Sequence, residues 1–392
     1  CLYLKEDAGK LLVGVFEPNA KPAFTNNFRV PDDFSFGELP EDFDHFEPYL
    51  MHAVKRIPDL ETAGIRKFFN GPESFTPDTN YLLGETPEIK NFFVCCGFNS
   101  IGIVSAGGAG KVTAEWMING EVNEDVFSLD ITRFEKFHSE TNFIIDRAAE
   151  SLGNQYAMHW PYKQQKTSRN IKTFPYHDLL KKEGACFGQV AGFESPLWYA
   201  IDGEKPEFKY SFGYQNWYKS AQNETINTRK NVGFFELTPF AKFEIEGEAA
   251  YSSLQYLCSN DIKNNDGAIT YTQMLNSKGG IEADLSVTCI SKNKFRIITG
   301  SGVREHDKKH ILRYLDQDVK FTDITDSYSC FGIFGPESRS LLTQMVGNEF
   351  ENNKFPFGTG KFLKINNIDI WFQRLSYVGE LGWELYIPIK ES

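Results

Sequence analysis

YTQMLNSKGGIEADL, residues 271–285, reads as strand, tight turn, strand. Tyr271, Gln273 and Leu275 alternate with Thr272, Met274 and Asn276, which sends the two sets to opposite faces of an extended segment. Asn276-Ser277-Lys278-Gly279-Gly280 reverses the chain, and the extended pattern resumes from Ile281 to Ile290. Asp284 falls inside that second strand, where a carboxylate is unfavourable unless it is solvated, paired or used. The segment alone leaves two readings open, an aspartate on a wet strand face and a functional carboxylate.

Downstream, RLSYVGELGWELYIP (374–388) places Tyr377 and Glu384 seven positions apart around Gly379 and Gly382. A carboxylate can accept two parallel N–H bonds from an amino-pyrimidine edge, a geometry that a point acceptor cannot supply. Together with YTQMLNSKGGIEADL, this stretch resembles the aminomethyltransferase (glycine-cleavage T-protein) family. The resemblance implies that Tyr271, Asp284, Tyr377 and Glu384 bind folate, and that Asp284 faces the reacting nitrogens and is catalytic. Two departures stand out. Pro239 replaces a histidine common in glycine-cleavage T-proteins, and Thr288 stands where some members have tyrosine. Both point away from the lipoyl-linked role and toward flavin-fused relatives.

The surrounding pattern is mixed helix and strand. A helix is expected over Glu224 to Lys230, followed by strand–turn–strand in VGFFELTPFAKFEIEG with Phe235, Leu237 and Phe243 inward. An amphipathic helix follows from Ala249 to Cys258. Beyond the hairpin come a strand at Lys294 to Thr299, a basic helix at Asp307 to Leu315, and a strand running into a helix in CFGIFGPESRSLL.

The first third opens with two short strands around Asp7-Ala8-Gly9, then a helix through Tyr49, Met51 and Val54. Twenty uncharged residues lie between Lys90 and Lys111. Five glycines, Asn99 and two serines make them a poor lipid-facing helix, so no membrane span is expected. A buried strand (Phe92 to Cys96), a Gly97-Phe98-Asn99-Ser100 turn and a Gly/Ala-rich helix instead suit a cofactor met by a helix N-terminus. The motif is not G-x-G-x-x-G, and it fails as a P-loop, with Ser105 for the first glycine and Val112 for the Ser/Thr. Close helix–sheet packing explains the glycines equally well.

NGPESFTPD…LLGE…NFFVCCGFNSIGI…AGGAGK…AEWMINGE resembles the later portion of D-amino-acid-oxidase-like, FAD-dependent amine oxidoreductases. The resemblance implies flavin contact by Gly97, Phe98, Asn99, Ser100, Ile101 and Gly102, and a substrate-pocket place for Tyr3. The family's dinucleotide fingerprint has no counterpart here. The chain is therefore expected to be an internal piece of a protein about twice as long, holding FAD poorly by itself.

In the aromatic-rich connection, His159 and His177 have no carboxylate or cysteine at ligand spacing and are expected to pack or cap. Seven scattered cysteines form no disulfide framework and no C-x-x-C metal spacing, which suggests a reducing compartment. A cytoplasmic place is expected, with the mitochondrial matrix as alternative. A net charge of −12 argues against nucleic acid or anionic membrane as partner.

The expected fold class is α+β: a partial FAD domain (1–148), a connecting region (149–217) and a truncated aminomethyltransferase-like folate domain (218–392). The two resemblances together imply the dimethylglycine and sarcosine dehydrogenase family. Their implied activity is oxidative demethylation of a small N-methyl amine with FAD, the one-carbon unit passing to tetrahydrofolate. Electrons would leave to an electron-transfer flavoprotein or to oxygen. The alternatives are a regulatory protein of the same architecture, like a pyruvate dehydrogenase phosphatase regulatory subunit, and a flavin-independent folate-dependent demethylase.

Overall fold

The computed structural model describes residues 1–201 and 203–392 of the chain. Two units emerge, one of Cys1–Ile131, Lys136–Trp160 and Gln165–Ser168, the other of Thr132–Glu135, Pro161–Gln164 and Arg169–Ser392.

In the first unit, strands β1 (Leu2–Asp7) and β2 (Lys10–Val15) form an antiparallel hairpin. Helix α1 (Phe43–Val54) follows, its first turn capped by the Asp42 side chain accepting from the His45 N–H at 3.1 Å. Strands β3 (Leu82–Glu85) and β4 (Phe93–Cys96) pair, and β4 leads through a turn into α2 (Gly102–Asn119). Helix α3 (Thr141–Gln155) completes the unit.

The second unit begins with α4 (His177–Lys182) and the paired strands β5 (Ala185–Val190) and β6 (Phe193–Tyr199). Helix α5 runs over Tyr218–Lys230, six residues earlier than expected, because its polar first turns carry no apolar period to reveal them. Then come β7 (Gly233–Glu236), β8 (Ala241–Glu246), α6 (Ala250–Leu257), β9 (Ile269–Leu275), β10 (Ile281–Ser291), β11 (Lys294–Thr299), α7 (Arg304–Tyr314) and β12 (Lys320–Asp323). Strand β13 (Tyr328–Phe334), α8 (Ser338–Val346), β14 (Gly360–Ile365), β15 (Ile368–Gln373) and β16 (Gly382–Pro388) end the order.

These strands make two five-stranded antiparallel sheets, β12-β8-β11-β10-β9 and β14-β15-β16-β13-β7. Strand parity explains their layering. On β10, Ala283, Leu285, Val287 and Cys289 join Met274, Phe243, Phe295 and Ile297 in an apolar cluster that includes Leu254 of α6 and Ile311 of α7. In the other sheet, Ile333, Ile370, Phe372, Trp383 and Leu385 cluster with Leu342 of α8. Burying each such side chain contributes about 1.5–3 kcal/mol. The remaining faces meet: Ile298 of the first sheet clusters with Cys330, Trp371 and Tyr386 of the second.

Strands β7 and β8 do not pair with each other, although the sequence reads as strand–turn–strand. The chain crosses from one sheet to the other at Leu237–Phe240. Buried Lys242 holds the crossing, its Nζ donating to the carbonyls of Thr238 (2.8 Å), Phe240 (2.8 Å) and Thr325 (3.1 Å). A second junction joins the sheets at Gly267, whose carbonyl accepts from the Gly360 N–H at 2.7 Å. There φ is +80°, and a Cβ would stand 2.3 Å from the Gly360 oxygen, so only glycine fits.

Candidate functional site

Asn276 shapes the hairpin turn, its Oδ1 accepting from the backbone N–H of Lys278 (3.0 Å) and Gly280 (2.8 Å). The resulting register sets Asp284 opposite Gln273 and Ser286 opposite Tyr271. Asp284 and Tyr271 are therefore diagonal neighbours on the sheet face turned away from the apolar cluster. Gln273 Nε2 donates to Asp284 Oδ1 at 2.8 Å. The Asp284 carboxylate also holds the Tyr271 phenol above its ordinary pKa.

Glu384 comes from the other sheet. Its alternation with Trp383 and Leu385 turns it away from their cluster and toward the first sheet. It is 3 % exposed, and burial raises its pKa. Its Oε2 accepts from the Tyr386 hydroxyl at 2.7 Å and lies 3.5 Å from the Gln373 amide nitrogen.

Tyr377 connects the two groups. Its ring lies 6.0 Å from that of Tyr271, at 65°. The residue as a whole is 62 % exposed, yet its phenol is pushed well above the usual range, by desolvation first and then by the charges of Glu384 and Asp284 and the Tyr271 phenol. The four residues expected from the sequence thus meet around one place, walled by two tyrosines with a carboxylate from each sheet. Sequence reading missed Gln373 and Tyr386, which contact Glu384, and Trp371, whose indole N–H donates to Gln373. Their alternating places on β15 and β16 were the only available signal, and it reads equally as packing.

The second group of expected residues lies in the first unit. Gly97, Asn99 and Ser100 all have positive φ, 68°, 50° and 65°, which turns the chain sharply into α2. Asn99 is buried and locks the turn: its Oδ1 accepts from the Thr76 N–H at 2.8 Å, and its Nδ2 donates to the Gly97 carbonyl at 2.6 Å. The first-turn amides of α2 have no intrahelical acceptor. An open cavity of about 440 Å³ lies there, lined by Glu73, Ser100, Ile101, Gly102, Ile103 and Val104. Phe98 turns away from that lining and stacks on Tyr81 with ring centroids 4.9 Å apart. Ser100 Oγ donates to Glu73 Oε2, and burial followed by the Glu73 charge raises the pKa of Tyr3. Tyr3 lies across Gly14, its cross-strand partner, and is half exposed. Glu73 thus links Tyr3 to the turn, a connection the sequence did not disclose. A turn that aims free amides at an open cavity fits the electron-rich oxygens of a flavin ring.

His177 stacks on Phe187 with ring centroids 4.3 Å apart, and His159 Nε2 lies 3.2 Å from the Gln155 carbonyl. Among the described residues no group of three or more His, Cys, Asp or Glu side chains could hold a metal. Among the described residues, too, no helix is long and apolar enough to cross a membrane.

The fold and the two sites define a class, an α+β chain joining a flavin-type portion to a folate-type portion. The models for FAD dependent oxidoreductase, FAD dependent oxidoreductase central domain and GCVT N-terminal domain match residues 1–116, 119–173 and 176–392. The chain belongs to the family of FAD-dependent oxidoreductases fused to a folate-binding aminomethyltransferase-type domain, that of the dimethylglycine and sarcosine dehydrogenases. It is 37 % identical over 385 residues to 4-methylaminobutanoate oxidase (formaldehyde-forming) of Paenarthrobacter nicotinovorans, covering 98 % of this chain and 46 % of that protein. Human mitochondrial sarcosine dehydrogenase is 32 % identical over 430 residues, 99 % of this chain and 46 % of that protein. The mouse mitochondrial pyruvate dehydrogenase phosphatase regulatory subunit is 33 % identical over 397 residues, 99 % of this chain and 45 % of that protein. The chain spans about half the length of these curated relatives.

Proposed function

We propose that the protein carries out oxidative demethylation of a small N-methyl amine and passes the one-carbon unit to a reduced pterin. The observation that carries the reading is the convergence of Tyr271, Tyr377, Asp284 and Glu384 from two sheets. A pterin is a flat ring with N–H donors along one edge, and this arrangement offers aromatic walls with a buried carboxylate to meet them.

FAD, when bound, supplies a two-electron acceptor for the N-methyl C–H bond, leaving an iminium on the substrate. The amides of Gly102, Ile103 and Val104 and the turn from Gly97 to Ile101 would hold its polar ring edge. Glu73 lines the same cavity and its charge reaches Tyr3; the two would meet the amine. In the other unit Glu384 would fix the pterin edge, and the two tyrosines would hold the ring between them. Asp284 would take up the proton released as the pterin nitrogen bonds to the carbon, and balance positive charge while it lasts. The portions serving these roles are residues 1–148 and 218–392, with 149–217 connecting them. Electrons would leave to an electron-transfer flavoprotein or to oxygen, in the cytoplasm or the mitochondrial matrix.

Full-length protein assayed against N-methyl amines, with and without tetrahydrofolate, tests the proposal. A yellow flavin spectrum that bleaches with dimethylglycine, sarcosine or 4-methylaminobutanoate, and formaldehyde release that falls when tetrahydrofolate is added, are the expected results. Absence of bleaching with every amine would favour a regulatory protein, a reading that the similarity to the phosphatase regulatory subunit keeps in play. Bleaching with formaldehyde release indifferent to folate would leave the oxidase half and remove the folate half.

A further inference from the structure

Glu384 serves a ligand best if one oxygen is held by the protein and the other is left available. The side chains around it create that division. Gln373 stands directly opposite Glu384 in the β15–β16 ladder, and both are buried. The Gln373 Oε1 accepts from Thr288 Oγ1 at 2.7 Å and from Trp371 Nε1 at 3.1 Å. An indole N–H is only a donor, so the amide atom facing it must be the oxygen. The amide nitrogen is thereby directed to the other side, 3.5 Å from Glu384 Oε2 and 3.4 Å from the Tyr386 hydroxyl. The reverse orientation would set N–H against N–H at Trp371 and oxygen against carboxylate at Glu384. All donors to Glu384 therefore converge on Oε2, and Oε1 makes no hydrogen bond among the described residues.

Thr288 is the remote part of this arrangement. It lies on β10, four residues beyond Asp284 and on the same face of that strand, whereas Gln373 belongs to the other sheet. Their hydrogen bond joins the strand bearing one carboxylate to the strand beside the other.

We infer that Gln373, oriented across the sheets by Thr288, is a positioning residue of the pterin pocket: it holds Glu384 Oε2, keeps the carboxylate ionised and leaves Oε1 for the ligand. The inference rests on the reading of Glu384 as the ligand's carboxylate. It assigns Thr288 a function through its hydroxyl.

The test is calorimetric titration of the full chain with 5-formyltetrahydrofolate, an oxidation-resistant reduced folate, from pH 5 to pH 9. Four variants are compared with the parent: Glu384→Gln, Gln373→Met, Thr288→Val and Thr288→Ser. Gln373→Met keeps volume and removes the amide, so affinity at pH 7 should fall roughly tenfold. The pH midpoint of binding should also rise, by about one unit for a tenfold change, because Glu384 loses a donor that favours its charged form. Thr288→Val should show the same changes to a smaller extent, since Trp371 still constrains the amide, and Thr288→Ser should restore parent behaviour. A merely structural role would lower the melting temperature without moving the pH midpoint. If Gln373→Met does not fold, the valine and serine pair decides alone. Weakened binding by Glu384→Gln with unchanged affinity and midpoint in Gln373→Met and Thr288→Val overturns the positioning role but leaves the pocket. Unchanged binding by Glu384→Gln overturns both.

Discussion

The rings of Tyr271 and Tyr377 lie 6.0 Å apart at an interplanar angle of 65°, although one belongs to the β9–β10 hairpin and the other to the loop before β16. Neither sheet alone contains this pair. It exists because the two polar faces are turned toward each other, and it draws Asp284 and Glu384 to the same place.

Replacing Glu384 by glutamine keeps the shape and the Tyr386 hydrogen bond but puts an N–H where an acceptor is needed. Hydrogen bonds to a charged group contribute about 1.5–3 kcal/mol. Affinity for a reduced folate should therefore fall about 10- to 100-fold, measured by calorimetry, with little change in thermal stability.

Binding should also depend on pH through Glu384, whose carboxyl is held above the ordinary carboxylate range by burial. As pH falls through that raised value, the ionised acceptor is lost and folate affinity drops. Stability moves the opposite way. Between the unfolded and folded pKa values the folded state binds the extra proton, so this residue's contribution makes the fold less stable as pH rises. Glu384→Gln should flatten both dependences, read from titrations and denaturant melts at several pH values.

Asp284 is exposed; its strand neighbour Gln273 donates to it, and its carboxylate also acts on the Tyr271 phenol. Asp284→Ala should alter stability by no more than about 0.5 kcal/mol. In full-length protein it should leave flavin reduction by the amine intact while diverting product to formaldehyde. Product analysis in the presence of tetrahydrofolate checks this, and an unchanged folate-coupled yield would remove Asp284 from the chemistry.

Gly267→Ala should be costly, because Gly267 is buried at the junction of the two sheets. The positive φ and the Gly360 oxygen at 2.3 Å from a Cβ leave no strain-free placement. A loss of more than about 1 kcal/mol is expected, with weaker folate binding because the junction sets the sheets' separation. Urea melts of the variant, paired with folate titration, provide the measurement.

Much was legible beforehand because it follows from local rules. The hairpin could be read from period-two alternation and from Asn276 followed by two glycines. The β4–turn–α2 unit could be read from an apolar run ending in Gly97. The four residues of the folate-type site were implied by the resemblance of two short motifs to the aminomethyltransferase family, whereas the segments alone left Asp284 open between a wet strand face and a functional carboxylate. Other features were invisible because they depend on partners distant in sequence. Glu73 reads as a turn glutamate until Ser100 and Tyr3 are brought to it, and Gln373 as a strand-end polar residue until Thr288 arrives from the opposite sheet.

By itself, then, the sequence determined which faces are apolar, where the strands turn and which side chains could carry chemistry, since each depends on residues within a few positions. Tertiary structure alone decided that β7 and β8 part company into different sheets, and that the faces carrying Asp284 and Glu384 look toward each other. Sheet pairing is settled by burial and hydrogen bonding summed over the whole domain, and no short window of sequence contains that sum.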